Sequence, residues 1–119
     1  MLPVSENKAV RMSQKGGYKS KEYKEWESFV LLTTKEQCIA SSEWYEVELI
    51  YHYPIYFKNG SVRKRDAHNM IKYAIDTVLH NKVIDEEGKK IDDSRILGGN
   101  WYKCDDKKEW LEISFYAVG

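Results

Sequence analysis

The chain has 119 residues, 42% of them hydrophobic, and its 19 Lys and Arg balance 19 Asp and Glu to a formal net charge of zero. This length predicts a single domain, residues 1–119, with a core of its own, and the neutral total does not by itself indicate a nucleic-acid-binding protein. The first 24 residues nevertheless contain six cations and two acids. A basic segment on an acidic body is compatible with phosphate binding beside carboxylates.

The two cysteines and the apolar runs predict the cellular compartment. Cys38 and Cys104 are not part of a CxxC motif and have no histidines at zinc spacing, so we expect reduced thiols. Apolar runs such as Phe29 to Leu32 are too short to span a bilayer, and no signal-peptide core is present at the N-terminus. The sequence therefore predicts a cytoplasmic protein that makes no membrane contact.

The first third of the chain predicts a loose basic segment followed by a helix. Residues 1–19 have little apolar periodicity and contain Gly16-Gly17, which predicts an irregular, flexible segment. Ser20 suits a helix N-cap. Apolar residues then recur at helical spacing and predict a first helix over residues 21–34; these are Tyr23, Trp26, Phe29 and Val30.

The middle of the chain predicts a strand and a hairpin. From Trp44 to Tyr53 apolar residues alternate with polar ones, which is typical of a strand with one buried face. Asn59-Gly60 then predicts a tight hairpin turn.

The polar face of a second helix is the feature that suggests chemistry. Residues 66–80 have an apolar side and an opposite side that gathers Asp66, Asn69, Lys72 and Asp76. A charged turn at Asp85–Lys90 then leads to the pair Asp92-Asp93. Two terminal strands, Ile96–Lys103 and Trp110–Ala117, complete an α+β fold in which a small mixed sheet packs against two main helices.

The carboxylates admit two interpretations. They either form the solvent-exposed face of a surface helix, or they are ligands for a hard cation such as Mg²⁺, which prefers carboxylate and phosphate oxygens. The short acids favour the second interpretation, because Asp is a poor helix former where Glu would serve solubility equally well. Lys72 either offsets charge in a transition state or pairs with Asp76. Arg63, Lys64 and Arg65 either hold a phosphate backbone or form a solvated run of charge.

The ordered motif resembles that of the RusA-type Holliday junction resolvases. It consists of Arg65-Asp66-x-x-Asn69-x-x-Lys72-x-x-x-Asp76 followed by Asp92-Asp93, where the family has R-D-x-D-N-x-x-K-x-x-x-D and a later D-D pair. The segments "VSENKAVRM" and "GGYKSKEYKEW" are also similar to the start of that family. The resemblance covers nearly the whole chain, in order.

The resemblance implies a small homodimeric, intertwined nuclease, often encoded in phages or prophages, that resolves four-way DNA junctions by paired nicks in DNA recombination and repair. It implies Mg²⁺ or Mn²⁺ as the cofactor and no small-molecule cofactor. Asp66 and Asp93 take the places of catalytic, metal-binding aspartates and Lys72 that of the essential lysine. Further metal ligands are expected among Asp76, Asp92 and His68, where Asp92 substitutes if the register slips by one residue. The residues expected to contact DNA are Arg63, Lys64, Arg65, Asn69, Lys8, Arg11 and Lys15.

One departure from the motif leaves the activity open. His68 stands where the family has its second aspartate, and imidazole prefers transition metals to Mg²⁺. Either the site prefers Mn²⁺, or Asp76 or Asp92 supplies the missing charge, or activity is reduced or lost; His68 is otherwise a packing or surface residue. The alternatives to a resolvase are therefore a branched-DNA-binding protein of the same fold without catalysis, and a small interaction protein with no role on nucleic acid.

Overall fold

The computed structural model describes the backbone of residues 10–13, 16–65 and 70–119, and side chains from Ser20 onward within those ranges. The chain begins with a hairpin of two antiparallel strands, β1 (Val10–Ser13) and β2 (Gly16–Lys19). The prediction of an irregular segment over residues 1–19 is therefore wrong for these strands. Period-two alternation is a weak signal in strands of four residues, and Gly16-Gly17, interpreted as a loop signal, opens β2.

The first helix, α1 (Lys21–Thr33), begins and ends close to its predicted bounds. The Ser20 side chain accepts a hydrogen bond from the Tyr23 amide at 3.2 Å, which satisfies one of the amides that a helix start leaves unpaired. Tyr23, Trp26 and Val30 are buried at helical spacing. The helix therefore faces the core along one stripe, as the spacing predicts.

Strand β4 (Trp44–Tyr53) is the centre of the main sheet and matches its predicted bounds. The sheet order is β6-β4-β7, with β6 (Ile96–Asp105) parallel to β4 and β7 (Trp110–Val118) antiparallel to it. The sheet is thus mixed, as predicted, and each terminal strand extends past its predicted end. The connection between β6 and β7 crosses the end of β4, where the Asp106 amide donates to the Tyr53 carbonyl at 3.0 Å.

The second helix, α2, spans Ile71–Lys82. Its described part ends two residues later than predicted, and residues 66–69 of the predicted helix lie outside the described residues. It packs its buried stripe of Ala74, Val78 and Leu79 on the sheet, together with α1. Two short parallel strands, β3 (Gln37–Cys38) and β5 (Val83–Ile84), join the ends of the two helices.

The core lies between the sheet and the two helices. One face of β4 is buried along its whole length and consists of Tyr45, Val47, Leu49, Tyr51 and Tyr53. Each large apolar side chain buried in this way contributes roughly 1.5–3 kcal/mol. The α+β prediction is confirmed.

Two turns also agree with the sequence. Tyr56 and Val62 form a bridge around a turn in which Gly60 has a φ of 85°, so the predicted Asn-Gly hairpin is present. Gly88, with a φ of 77°, closes the charged turn that begins at Asp85.

Cys38 and Cys104 are free thiols, as predicted. None of the helices in the described ranges has the length and apolar character needed to cross a bilayer.

Candidate functional site

A pocket of about 270 Å³ brings together acids from three separate parts of the chain. Glu27 comes from α1, Asp76 from α2, and Asp93 from the short 3₁₀ helix Asp93–Arg95 that precedes β6. The remaining lining residues are Tyr23, Thr77, Leu79, His80 and Asn81. Two predicted site residues that are 17 positions apart, Asp76 and Asp93, therefore share one pocket.

Hydrogen bonds and a ring contact hold the residues that line this pocket in α1 and α2. The Tyr23 hydroxyl and the Thr77 hydroxyl are 3.1 Å apart and form a buried hydrogen bond from α1 to α2. The Asn81 side-chain amide donates to the Thr77 carbonyl at 2.8 Å. The Tyr23 ring also meets the Tyr73 ring edge-on, with centroids 4.9 Å apart. The two Tyr23 contacts join α1 to α2 beside the acids, whereas the Asn81 bond lies within α2.

The adjacent aspartates Asp92 and Asp93 have different roles in the fold. The Asp92 side chain accepts a hydrogen bond from the Ser94 amide at 2.8 Å and caps the 3₁₀ helix. That backbone hydrogen bond lowers the pKa of the Asp92 carboxyl. Asp93 is the one that lines the pocket. Local capping chemistry therefore distinguishes two residues whose sequence context left either as the candidate ligand.

Sequence reasoning missed Glu27 and His80. Glu27 lies one turn after the buried Tyr23, and His80 lies one turn after Asp76, so each shares a helix side with another pocket residue. The signal was helical spacing within each helix. This spacing could not be used from the sequence, since a Glu and a His at such positions are also ordinary surface residues.

Lys72 lies one turn before Asp76 on α2 but is not among the described residues that line the pocket. Its ammonium is 5.5 Å from the centroid of the Tyr73 ring, close enough for a cation–π contact. The side chain is exposed. Lys72 is therefore on the same helix as Asp76, one turn away, and outside the pocket lining.

The three predicted DNA-contacting cations before α2 occupy different environments. Lys64 is exposed. The Arg63 guanidinium lies over the Phe57 ring at 4.3 Å. Arg65 forms an ion pair with Glu109, with 2.6 Å between Nη2 and Oε1. Of these three cations, Lys64 is thus the one whose side chain has no contact partner within the described residues.

Several predicted site residues lie outside the described part of the chain. These are Asp66, His68, Asn69, Lys8 and Lys15; for Arg11 only the backbone, in β1, is described.

The pocket's donor set fits a hard divalent cation in chemistry but is incomplete in number. Carboxylate oxygens are the ligands that Mg²⁺ and Mn²⁺ prefer. Within the described ranges, however, no three His, Cys, Asp or Glu side chains are grouped closely enough to hold one metal ion together. An ion held by Asp76 and Asp93 would complete its shell with water, phosphate oxygens or a ligand outside the described residues.

Comparison with known proteins bears on the whole chain. No curated protein matches it. A protein-family model described as Endodeoxyribonuclease RusA matches residues 2–115, which include both the polar motif of the second helix and the later aspartate pair. The resemblance inferred from the motif is thereby confirmed, and the chain belongs to the RusA family of endodeoxyribonucleases.

Proposed function

We propose that this protein is a Mg²⁺- or Mn²⁺-dependent, structure-selective endonuclease that resolves four-way DNA junctions by paired nicks. The single observation that carries the proposal is the pocket that Asp76 and Asp93 both line, in a chain of which residues 2–115 match an endodeoxyribonuclease family. Acids from two distant segments line one pocket, and a cation held there would offset the repulsion between their like charges.

The residues proposed to hold the cation are Asp66 and Asp93, and Asp76, which lines the same pocket as Asp93, is a further candidate. A bound Mg²⁺ or Mn²⁺ supplies Lewis acidity that activates water and neutralises charge on the phosphate. The overall reaction is hydrolysis, in which one P–O bond of the backbone is exchanged for a P–O bond from water. Its products are a terminal phosphate and a hydroxyl, so no other reactant is needed.

The remaining side chains position DNA and offset charge. Lys72, one turn before Asp76 on α2, would offset the charge that develops on the phosphate. Lys64 and the basic N-terminal segment, with Lys8, Arg11 and Lys15, hold backbone phosphates rather than read bases. Binding should therefore weaken steeply as salt is raised.

The adjacent aspartates offer a matched test. Asp93→Asn and Asp92→Asn make the same chemical change at neighbouring positions, but only Asp93 lines the pocket. Nicking of a synthetic four-way junction with Mg²⁺ or Mn²⁺ should fall by about 100-fold or more in Asp93→Asn and Asp66→Asn, a loss in the range produced by removing one group that stabilises transition-state charge. Asp92→Asn should retain most activity. Equal cleavage by the parent and by Asp66→Asn or Asp93→Asn would mean that the proposed site is wrong.

His68 favours a second candidate, a branched-DNA-binding protein of the same fold that has lost catalysis. Under this alternative the junction is bound in a salt-sensitive manner and is not cut with either metal. Failure of His68→Asp to restore cleavage would support it. Absence of junction binding in a mobility-shift assay would leave a protein–protein interaction role in its place.

We further propose that the protein acts as a homodimer, since two nicks in a symmetric junction require two sites. Strand β6 is a ten-residue edge strand, and its Leu97 and Trp101 are 57% and 42% exposed. Long exposed edges of this kind readily pair with another chain. Light scattering should show that Leu97→Lys shifts the dimer toward monomer. The matched change Leu32→Lys, on the exposed side of α1, should have no effect on assembly.

A further inference from the structure

The two faces of the β6-β4-β7 sheet differ in how far they are covered. One row of β4 side chains packs into the core with α1 and α2, and the residues that alternate with this row point the opposite way. The outer face of the sheet consists of these alternating residues, Trp44, Glu46, Glu48, Ile50 and His52, and of their pairing partners on β6 and β7. It is therefore the side of the sheet turned away from the two helices.

Large aromatic side chains are spread over the outer face. Four of them are each between 40% and 52% exposed; these are Trp44, Tyr102, Trp110 and Tyr116. Trp and Tyr are enriched in protein–protein interfaces, where a few such residues supply most of the binding energy. A group of exposed rings on one face of a sheet therefore indicates an interaction surface.

One of these rings is held in place by the protein itself. The Trp110 ring stacks on the His52 ring, with centroids 3.8 Å apart and an interplanar angle of 10°. Its indole Nε1 donates to the Asp106 carboxylate at 2.8 Å. His52 is fixed in turn by a 2.7 Å hydrogen bond between its Nε2 and the Glu112 carboxylate. Trp110 is thus preorganised yet 42% exposed, so little entropy is lost when a partner contacts it.

The outer face carries carboxylates and no fixed cation. Glu46, Glu48 and Glu112 lie on it, and none of its positions in the three strands is Lys or Arg. Glu46 and Glu48 are about 7 Å apart along β4. Within the described residues, neither of these two carboxylates has an ion-pair or hydrogen-bond partner. Like charges at neighbouring positions of a sheet are destabilising, and a cationic partner would offset their repulsion.

Charge and rings together select the kind of partner. Carboxylates repel phosphates, so the outer face does not suit DNA. A second copy docked symmetrically through this face would bring its acids against the same acids of the first. A basic protein segment meets neither obstacle. Arginine suits both features of the face, because its guanidinium pairs with carboxylates through a fork of N–H donors and stacks on aromatic rings.

We propose that the outer face docks an arginine-rich segment of a partner protein. Glu46 and Glu48 pair with its guanidinium groups, and Tyr116, the β7 residue paired with Glu46, supplies a ring for stacking. The pocket that Asp76 and Asp93 line is formed by the helices and the 3₁₀ helix. The inference therefore does not rest on the proposed function.

The test measures peptide binding by fluorescence anisotropy. The probe is a labelled peptide of alternating Arg and Ser with the length of β4, ten residues. The parent should bind it more tightly than the same peptide with Lys in place of Arg, and should not bind the version with Glu. Glu46→Gln/Glu48→Gln should weaken binding of the Arg peptide by about tenfold, the loss expected for two surface ion pairs.

A matched variant controls for charge elsewhere. Glu36→Gln/Glu86→Gln removes the same charge from two exposed residues that lie outside this face, and it should have little effect on peptide affinity. Thermal unfolding checks that Glu46→Gln/Glu48→Gln is folded. Its melting temperature should equal or exceed that of the parent, because the substitution removes a repulsion.

Two tyrosines of similar exposure separate stacking from charge. Tyr116 is 52% exposed on the outer face, and Tyr56 is 54% exposed in the hairpin that follows β4. Tyr116→Leu should reduce the preference for the Arg peptide over the Lys peptide by about threefold, the scale of an exposed cation–π contact. Tyr56→Leu should leave this preference unchanged.

Every contrary outcome is decisive. A parent that does not bind the Arg peptide, or that binds it no better than Glu46→Gln/Glu48→Gln does, would overturn the proposal. Light scattering in which Tyr116→Lys converts a dimer to a monomer would instead assign the outer face to a second copy of the chain. Loss of four-way junction binding in Tyr116→Leu, with unchanged peptide binding, would assign it to DNA.

Discussion

Three tyrosines on the buried face of β4 differ in a way that predicts their contributions to stability. Tyr45, Tyr51 and Tyr53 are each at most 1% exposed. The Tyr45 hydroxyl donates to the Ala40 carbonyl at 2.8 Å and accepts from the Ser42 amide at 2.9 Å. In the part of the chain that the structure describes, the hydroxyls of Tyr51 and Tyr53 have no hydrogen-bond partner. Replacing each residue by Phe therefore removes a bonded hydroxyl at one position and an unbonded one at the other two.

The size of the effect follows from these contacts. A buried hydroxyl without a partner costs roughly 1–3 kcal/mol, and a typical hydrogen bond contributes about 1 kcal/mol. Tyr51→Phe should therefore raise the free energy of unfolding by about 1 kcal/mol, and Tyr45→Phe should lower it by about the same amount. A change of 1 kcal/mol moves the melting temperature of a domain of this size by about 4 °C, so the two variants should differ by about 8 °C.

The same substitution predicts a change in pH dependence. Burial raises the pKa of the Tyr51 hydroxyl above its ordinary value. In the unfolded chain the phenol loses its proton near pH 10, while in the folded chain it is still neutral. Ionisation then favours unfolding, so stability is lost as the pH rises above about 10. Tyr51→Phe should reduce this alkaline loss.

Urea unfolding of the parent and both variants, followed by circular dichroism at about pH 8 and about pH 10.5, measures both effects. A Tyr51→Phe variant less stable than the parent by about 1 kcal/mol would show that the hydroxyl does have a partner. An unchanged alkaline slope would show that Tyr51 is not the group responsible. Either result would refute the reasoning from burial.

Three further predictions concern the frame around the site. Gly99→Ala should destabilise by about 3 kcal/mol, because a Cβ there would overlap a β4 carbonyl, whereas Gly98→Ala, with open space at its Cβ, should be nearly neutral in thermal unfolding. Ser20→Ala should cost about 1 kcal/mol by removing the α1 cap, and urea unfolding that matched the parent would contradict this. Hydrogen bonds, first of all the one from the Trp110 indole, lower the pKa of Asp106, so the stability of the fold should decrease as the pH drops below about 4. In melting curves recorded over a pH series, Asp106→Asn should lose less stability in acid than the parent. Equal losses in the two proteins would rule out this cause.

The local pattern of apolar residues was sufficient to predict the first helix and the central strand. The stripe Tyr23, Trp26, Val30 and the alternation from Tyr45 to Tyr53 predicted α1 and β4 with bounds that hold within a residue. Both signals arise from which side of a helix or strand faces the core, and that information is present in a short window of sequence. The four-residue strands of the N-terminal hairpin are too short to carry such a signal. The prediction of an irregular segment at these residues was therefore wrong.

The candidate site was predictable in composition but not in arrangement. The motif predicted Asp76 and the Asp92-Asp93 pair as site residues. It could not assign Asp93 to the pocket and Asp92 to a helix cap, because that depends on the direction in which the chain turns before β6. Glu27 was missed for a related reason, since its place in the pocket depends on how α1 packs against α2.

The sequence by itself thus determined the family, the helices, the central strand and the set of ionisable groups, because each is recorded in residues near one another along the chain. Only the tertiary structure decided the β6-β4-β7 order and the presence of Asp76 and Asp93 in the lining of one pocket. It also decided the ion pair between Arg65 and Glu109. These are contacts between distant segments, and they form only when burial of a common core brings those segments together.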